Sequence, residues 1–226
     1  NSDEFYRNVR HGEFWVGRRM TLEETEFAYD ISVRHIDSLD AFLESALDSL
    51  TIRGEDSYID SRIKENADDA TLHSWLSEAR LVKDSFEIAE MQKAIDATHR
   101  GFEDMIRAIP NAVGKKRGER LVEGAFFARA RFEGNDLGYD SIVAAGSHAC
   151  VLHWIRNDGE LRDGELVLID AGVEAESLYT ADITRTLPIN GKFTEAQRKI
   201  YMLVYEAQEA GMKAVKPGAK FRDFHV

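Results

Sequence analysis

The stretch Leu166-Val-Leu-Ile-Asp170-Ala-Gly172 constrains this chain more than any other part of its sequence. Four apolar residues favouring a buried strand run straight into a carboxylate. A carboxylate at the end of a buried strand is costly unless a cation or hydrogen-bond donors meet it. Asp182 follows twelve positions later, between Ala181 and Ile183. If the chain reverses near Glu176, positions 170 and 182 become cross-strand neighbours on one face, with Thr184 on the same face as a hydrogen-bond donor. Gly172 lets the backbone leave the strand sharply. Two facing carboxylates repel, and a divalent cation between them removes the penalty; hard oxygen ligands suit Mn, Mg, Co or Zn. A pair of turn-facing carboxylates satisfied by backbone amides is the competing reading, and spacing alone leaves both open.

The surrounding pattern predicts an α+β domain with antiparallel strands. Asp84-Ser-Phe-Glu87 reads as a capped start of a helix over about 84–109, with Ile88, Met91, Ile95, Phe102, Met105, Ile106 and Ile109 as its apolar residues. A second helix over about 116–131 would bury Leu121, Val122, Ala125 and Phe126. Three strands are expected, from Ser141 through Trp154, over 165–170 and over 179–187. Thr194-Glu-Ala-Gln197 then opens a further helix, closed by Lys216-Pro-Gly218.

Upstream, residues 1–83 carry 18 acidic and 10 basic side chains against 23 and 19 over 84–226, and this shift predicts a boundary near 83. Thr21-Leu-Glu-Glu24 resembles a capping box, and Ile36 through Leu50 has helical periodicity. Thr51-Ile-Arg-Gly54 and Ser57-Tyr-Ile-Asp60 read as short strands, Lys64 through Ala70 as a loop or helix start, and Phe14 and Trp15 as a buried anchor. The first residue is not Met and the last segment stops at Phe224-His-Val226 inside an amphipathic pattern, so both ends are expected to be cut.

Composition narrows function. A net charge of −12 opposes binding to phosphate backbones or anionic lipid, so neither nucleic acid nor membrane is an expected partner. The chain has no run of about 18 apolar residues. The single cysteine, Cys150, favours a reducing, cytoplasmic setting and reads as a small buried hydrophobe. Phosphate-cradling glycine motifs and GxSxG are absent, and Lys115-Lys-Arg-Gly-Glu-Arg120 reads as a solvated helix start. His153, beside Trp154 at the end of an apolar segment, could bind substrate or move a proton, or be a packed histidine bonded to backbone. His148 reads as a loop residue.

The motifs Leu166-Val-Leu-Ile-Asp-Ala-Gly172, Tyr179-Thr-Ala-Asp-Ile-Thr-Arg-Thr186, Asn190-Gly-Lys-Phe-Thr-Glu-Ala-Gln-Arg198 and Lys216-Pro-Gly218 together closely resemble the Xaa-Pro aminopeptidases, metallopeptidases of the pita-bread fold. Val151-Leu-His-Trp-Ile-Arg-Asn157 resembles the family's histidine-bearing strand. The likeness is specific over about 80–226 and weaker before, where Gly12-Glu-Phe-Trp-Val-Gly17 resembles the later part of the family's N-terminal domain. It implies a partial α/β N-terminal domain over 1–83 and the first half of a pita-bread domain over 84–226. By the same resemblance Asp170 and Asp182 are ligands of a dinuclear site, usually manganese, and His153 is the substrate-side histidine. The implied chemistry is attack of a metal-bound hydroxide on the peptide carbonyl before proline, on peptides with proline second. The remaining ligands implied, a histidine and two glutamates, are not in this chain, and His225 lies too close to the Pro-Gly stop to replace the histidine. The chain alone is therefore expected to bind metal weakly and be inactive, and its uncovered strand edges favour a homo-oligomer. Prolidase is the nearest alternative, a non-catalytic pita-bread binding module the next, and methionine aminopeptidase fits less well.

Overall fold

The computed structural model describes residues 3–224, and the chain divides into two compact units, Asn1–Val82 and Lys83–Val226. His225 and Val226, on which the expected continuation of the last segment rests, lie outside the described residues.

Among the described residues of the first unit, the regular secondary structure is helix. It contains α1 (Asp3–Arg7), α2 (Glu13–Val16), α3 (Leu22–Tyr29), α4 (Leu39–Ser45), α5 (Ser57–Arg62) and α6 (Asp69–Ala79). Thr21 and Glu24 form the capping box of α3. The periodic segment from Ile36 yields only a 3-10 turn and the seven residues of α4. Neither expected strand forms. The Asp56 side chain accepts from the Tyr58 and Ile59 amides and starts a helix at Ser57. Ahead of it, the backbone of Thr51 and the guanidinium of Arg53 are both taken by the Asp69 carboxylate, at 2.9 and 2.7 Å. Phe14 and Trp15 are not a buried anchor: they are 64% and 58% exposed, and their rings meet each other and Tyr6. Four residues of helix give them no face to bury against.

In the second unit two helices cover one face of a small antiparallel sheet. The long α7 (Ser85–Ala112) starts at the Asp84–Glu87 capping box and runs through Pro110, three residues beyond the predicted end. A proline in the last turn removes one amide from the ladder and still leaves Val113 N bonded to Ile109 O. After α8 (Gly118–Glu133) come β1 (Asp136–Leu137), β2 (Ile142–Ala145), β3 (Leu166–Ala171), β4 (Val173–Glu174) and β5 (Ile183–Pro188), then α9 (Glu195–Ala214), capped by Thr194 and Gln197. Strand order is β2-β3-β5 in one sheet and β1-β4 in the other, all antiparallel. The strand expected from Ser141 to Trp154 ends at Ala145, and a 3-10 turn (Gly146–Cys150) replaces its second half.

The core joins Phe102, Met105 and Ile109 of α7, Val122, Phe126 and Ala130 of α8, and Val167, Ile169 and Ala171 of β3. Ile88, Ile95 and Ile106, expected on the buried face of α7, are exposed, as is Leu121 of α8. Besides Phe102, Met105 and Ile109, the buried face of α7 carries the small residues Ala94, Ala97, Thr98 and Gly101, and at Gly101 α8 comes close: a Cβ there would lie 2.5 Å from the Phe126 ring. Outside the core, Glu133 accepts from Arg100 and Arg129, and Arg129 also bonds Asp104, so an ionic lattice ties α7 to α8. On α9, Ile200, Leu203 and Val204 stay exposed.

Two outcomes are expected. Gly101→Ala gains about 1 kcal/mol of helix propensity but forces a methyl into an immovable ring at a cost of about 1–3 kcal/mol, so urea unfolding should report a net loss. Arg100 and Arg129 hold the Glu133 carboxyl below its ordinary value, and Arg129 does the same to Asp104. A native value depressed below the unfolded one stabilises at neutral pH, and that stability is lost as pH falls through the native value. Melting temperature measured from pH 7 downward should therefore fall less steeply in Glu133→Gln than in the wild type.

Candidate functional site

The central strand β3 sets the site. Val167, Ile169 and Ala171 point into the helices with no exposure, so Leu168 and Asp170 point to the opposite face. Asp170 pairs with Ile142 on one side and Thr184 on the other. The expected pairing of Asp170 with Asp182 is thus displaced by two residues. The ladder fits a turn centred on Ser177, not Glu176, because α7 grips that turn: Ser177 donates to Glu90 and Tyr179 to Glu87, both at 2.7 Å. A shift of two keeps the face, so Asp182 stands diagonal to Asp170, just before β5 begins.

The two carboxylates converge on a residue the sequence reading missed. The Tyr139 hydroxyl lies 2.5 Å from Asp170 Oδ1 and 3.0 Å from Asp182 Oδ1. One hydroxyl proton serves one acceptor at a time, so two acids share a single donor. Burial first, then the bonded Asp170 carboxylate, push the Tyr139 hydroxyl above its ordinary value and keep it protonated. Thr184 Oγ1 donates to Asp170 Oδ2 at 2.7 Å, so Asp170 is held at both oxygens. No local pattern marks Tyr139; it lies in the turn between β1 and β2.

Gly172 has a different reason from the one expected. It sits where the segments bearing the two acids nearly touch, and a Cβ there would fall 1.6 Å from the Ala181 carbonyl oxygen. Close approach, more than a sharp exit from the strand, requires glycine here. On the far side, the Val173 amide donates to Thr98 Oγ1 of α7 at 2.9 Å.

His153 does not lie at the end of a strand. It is exposed in a turn that follows the 3-10 helix, between Leu152, 88% exposed, and Trp154. Cys150, expected to be buried, is exposed because it closes the 3-10 turn at the surface. The segment is held by groups the sequence reading passed over. Glu119, in the basic run at the start of α8, is fully buried. Its Oε1 accepts from Ala145 N and is paired with His148 Nδ1, both at 2.8 Å; its Oε2 accepts from Trp154 Nε1 at 2.9 Å and Gly159 N at 2.6 Å. The His148 ring stacks on Trp154 at 3.9 Å. Asn157, also fully buried, accepts from Val143 N and donates to Ser141 O. Burial pushes the carboxyl of Glu123, one turn beyond Glu119, up.

Chemically, Asp170 and Asp182 form a hard oxygen pair of the kind a divalent cation accepts. They fit such an ion as part of a ligand set. Among the described residues no group of three or more histidine, cysteine or acidic side chains is gathered closely enough to hold one. No described helix is long and apolar enough to cross a membrane.

Comparison with known proteins gives concordant matches. Metallopeptidase family M24 matches residues 89–226. Xaa-Pro aminopeptidase 1 of Streptomyces coelicolor is 53% identical over 218 residues, covering 95% of this chain and 44% of the relative. Xaa-Pro aminopeptidase of Haemophilus influenzae is 37% identical, covering 91% of this chain and 49% of the relative. Among solved structures, zinc-substituted aminopeptidase P of Escherichia coli in complex with product has a TM-score of 0.76 at 30% identity, covering 94% of this chain and 52% of that one. Proline aminopeptidase P II from Yersinia pestis gives 0.76 at 31%, with the same coverage. The chain thus spans about half the length of the relatives it matches, and its mixed helix and sheet architecture is that of the pita-bread aminopeptidase P fold over that part.

Separating the two acid-bearing segments should be costly. Gly172→Ala is expected to lose roughly 3 kcal/mol or more and Thr184→Val, which removes one donor from Asp170, about 1 kcal/mol, both read by urea denaturation.

Proposed function

The chain belongs to metallopeptidase family M24, and from that premise we propose that it is part of a metal-dependent Xaa-Pro aminopeptidase, removing an N-terminal residue that precedes proline. The observation that carries this reading is the convergence of Asp170 and Asp182 on one protonated hydroxyl, in a chain 53% identical to an Xaa-Pro aminopeptidase. In this reading residues 1–83 are part of an N-terminal domain and 84–226 the first half of the catalytic domain. Asp170 and Asp182 are ligands for two divalent ions, manganese preferred, and His153 faces the substrate, a peptide with proline at its second position. Location in the cytoplasm and assembly as a homo-oligomer belong to the same reading, supported by the lone cysteine and the exposed apolar residues of α9.

Divalent ions bound there supply Lewis-acid polarisation of a carbonyl and a water that ionises near neutral pH. The chain's own contribution is order. Thr184 and Tyr139 hold both oxygens of Asp170, so its orientation is fixed in advance. Tyr139, by keeping its proton, partly offsets the repulsion between the two acids. His153, exposed on its turn, offers ring nitrogens that can give or take a proton at the reacting peptide. A histidine and two glutamates complete the ligand set that the resemblance implies. Residues 1–226 alone are therefore weak in metal and inactive.

The test is hydrolysis by the full-length protein. With manganese it should release the first residue of an Xaa-Pro-Xaa tripeptide, lose activity on chelation and regain it on metal return. Asp170→Asn and Asp182→Asn should each lower kcat/KM by at least about 10³-fold, and full turnover in either would refute the ligand assignment. Preference for an Xaa-Pro dipeptide would favour a prolidase. For residues 1–226 alone, elemental analysis after manganese loading and dialysis should find far less than one ion per chain.

A further inference from the structure

We propose that Glu119 is the positioning residue for His153, setting where the histidine-bearing turn stands without touching the substrate. The inference rests on the reading of His153 given above. Glu119 is a charge with no exposure at the start of a helix, where the helix dipole favours an anion. Removing a carboxylate from water is worthwhile only if its oxygens find partners, and here they do: three N–H groups and a ring nitrogen of His148 meet its two oxygens. With the helix that carries it, the carboxylate fixes the segment from Ala145 to Gly159 at its start, its 3-10 turn, its middle and its end. His153 adjoins the clamp. Its neighbour Trp154 is held twice, by the bond from Nε1 to Glu119 and by its stack on His148. The indole cannot shift without breaking both, and the backbone of residue 153 cannot shift without the indole.

The partner set also favours a carboxyl group over an amide. Glutamine has the same shape but one acceptor oxygen, and its amide would face two N–H donors where Oε2 now faces Trp154 and Gly159. There is no spare room for rearrangement, since even a Cβ on Gly159 would lie 2.6 Å from Glu119 Oε1 and from the His148 ring. Glu119→Gln therefore loosens the turn, while Asp170, Asp182 and Tyr139 make no bond to Glu119 and keep their own.

The experiment is a double-mutant cycle in the full-length, manganese-loaded protein on an Xaa-Pro-Xaa peptide, with Glu119→Gln, His153→Ala and the pair, reading kcat, KM and metal content separately. A misplaced catalytic side chain costs about 10- to 100-fold, so Glu119→Gln should lower kcat by that factor, with KM and bound metal near wild type. In the His153→Ala background it should add almost nothing, because the group it positions is gone. Trp154→Phe, which keeps a ring but deletes the Nε1 donor, should show the same non-additivity with a smaller loss and decides the matter if Glu119→Gln fails to fold. Losses that multiply with His153→Ala, or wild-type kcat in Glu119→Gln, would overturn the proposal and leave the aminopeptidase reading standing. Wild-type kcat in His153→Ala would overturn the role of His153 and the proposal with it, and absence of turnover in the unmodified protein would overturn the aminopeptidase reading first.

Discussion

The site depends on the two-residue period of β3. Every second side chain of this strand is driven into the helices, and the strength of that burial fixes which residues face the other way. Val167, Ile169 and Ala171 are fully buried in the core to which α7 and α8 contribute. Asp170 is therefore turned outward by its neighbours' hydrophobicity, with no contribution from its own chemistry. β3 is the middle strand, and both flanking strands pair with it. The diagonal placement of Asp182 and the pairing of Thr184 with Asp170 belong to the same ladder that sets Val167 against Leu187.

This explains what could be read in the sequence and what could not. The strand-end acid, the second acid and their common face were legible because each is written in a run of a few consecutive residues. The register was not, since it depends on Glu87 and Glu90, about ninety residues away, holding Tyr179 and Ser177. The capping boxes at Thr21, Asp84 and Thr194 are local chemistry, and all three form. The packing face of α7 is not local. Ile88, Ile95 and Ile106 are exposed while Ala97, Thr98 and Gly101 are buried beside Phe102, Met105 and Ile109, because at Gly101 the approach of α8 is set by Phe126 and not by α7 itself.

The segment after β2 was the least legible. Its apolar letters, Cys150, Val151 and Leu152, suggest a strand, but strand pairing requires the backbone to find a partner, and here side chains take that place. Glu119 was hidden in the most basic run of the chain, where a lone acid reads as one more solvated charge. Its burial follows from four polar partners converging from other segments, a fact that no window of sequence contains. Tyr139 escaped notice for the same reason.

Asn157 and Glu119 have one more consequence. In the ladder, Ile142 and Ala144 turn their backbone groups toward β3, so Ser141, Val143 and Ala145 turn theirs away. Those outward groups are the ones that Asn157 and Glu119 occupy, at Ser141 O, Val143 N and Ala145 N. Two side chains thus stand in for a missing strand at three of the groups along that edge of the sheet. The sheet is left with a direction: it can be lengthened only beyond β5, and misassembly through β2 would first have to uncover a buried charge.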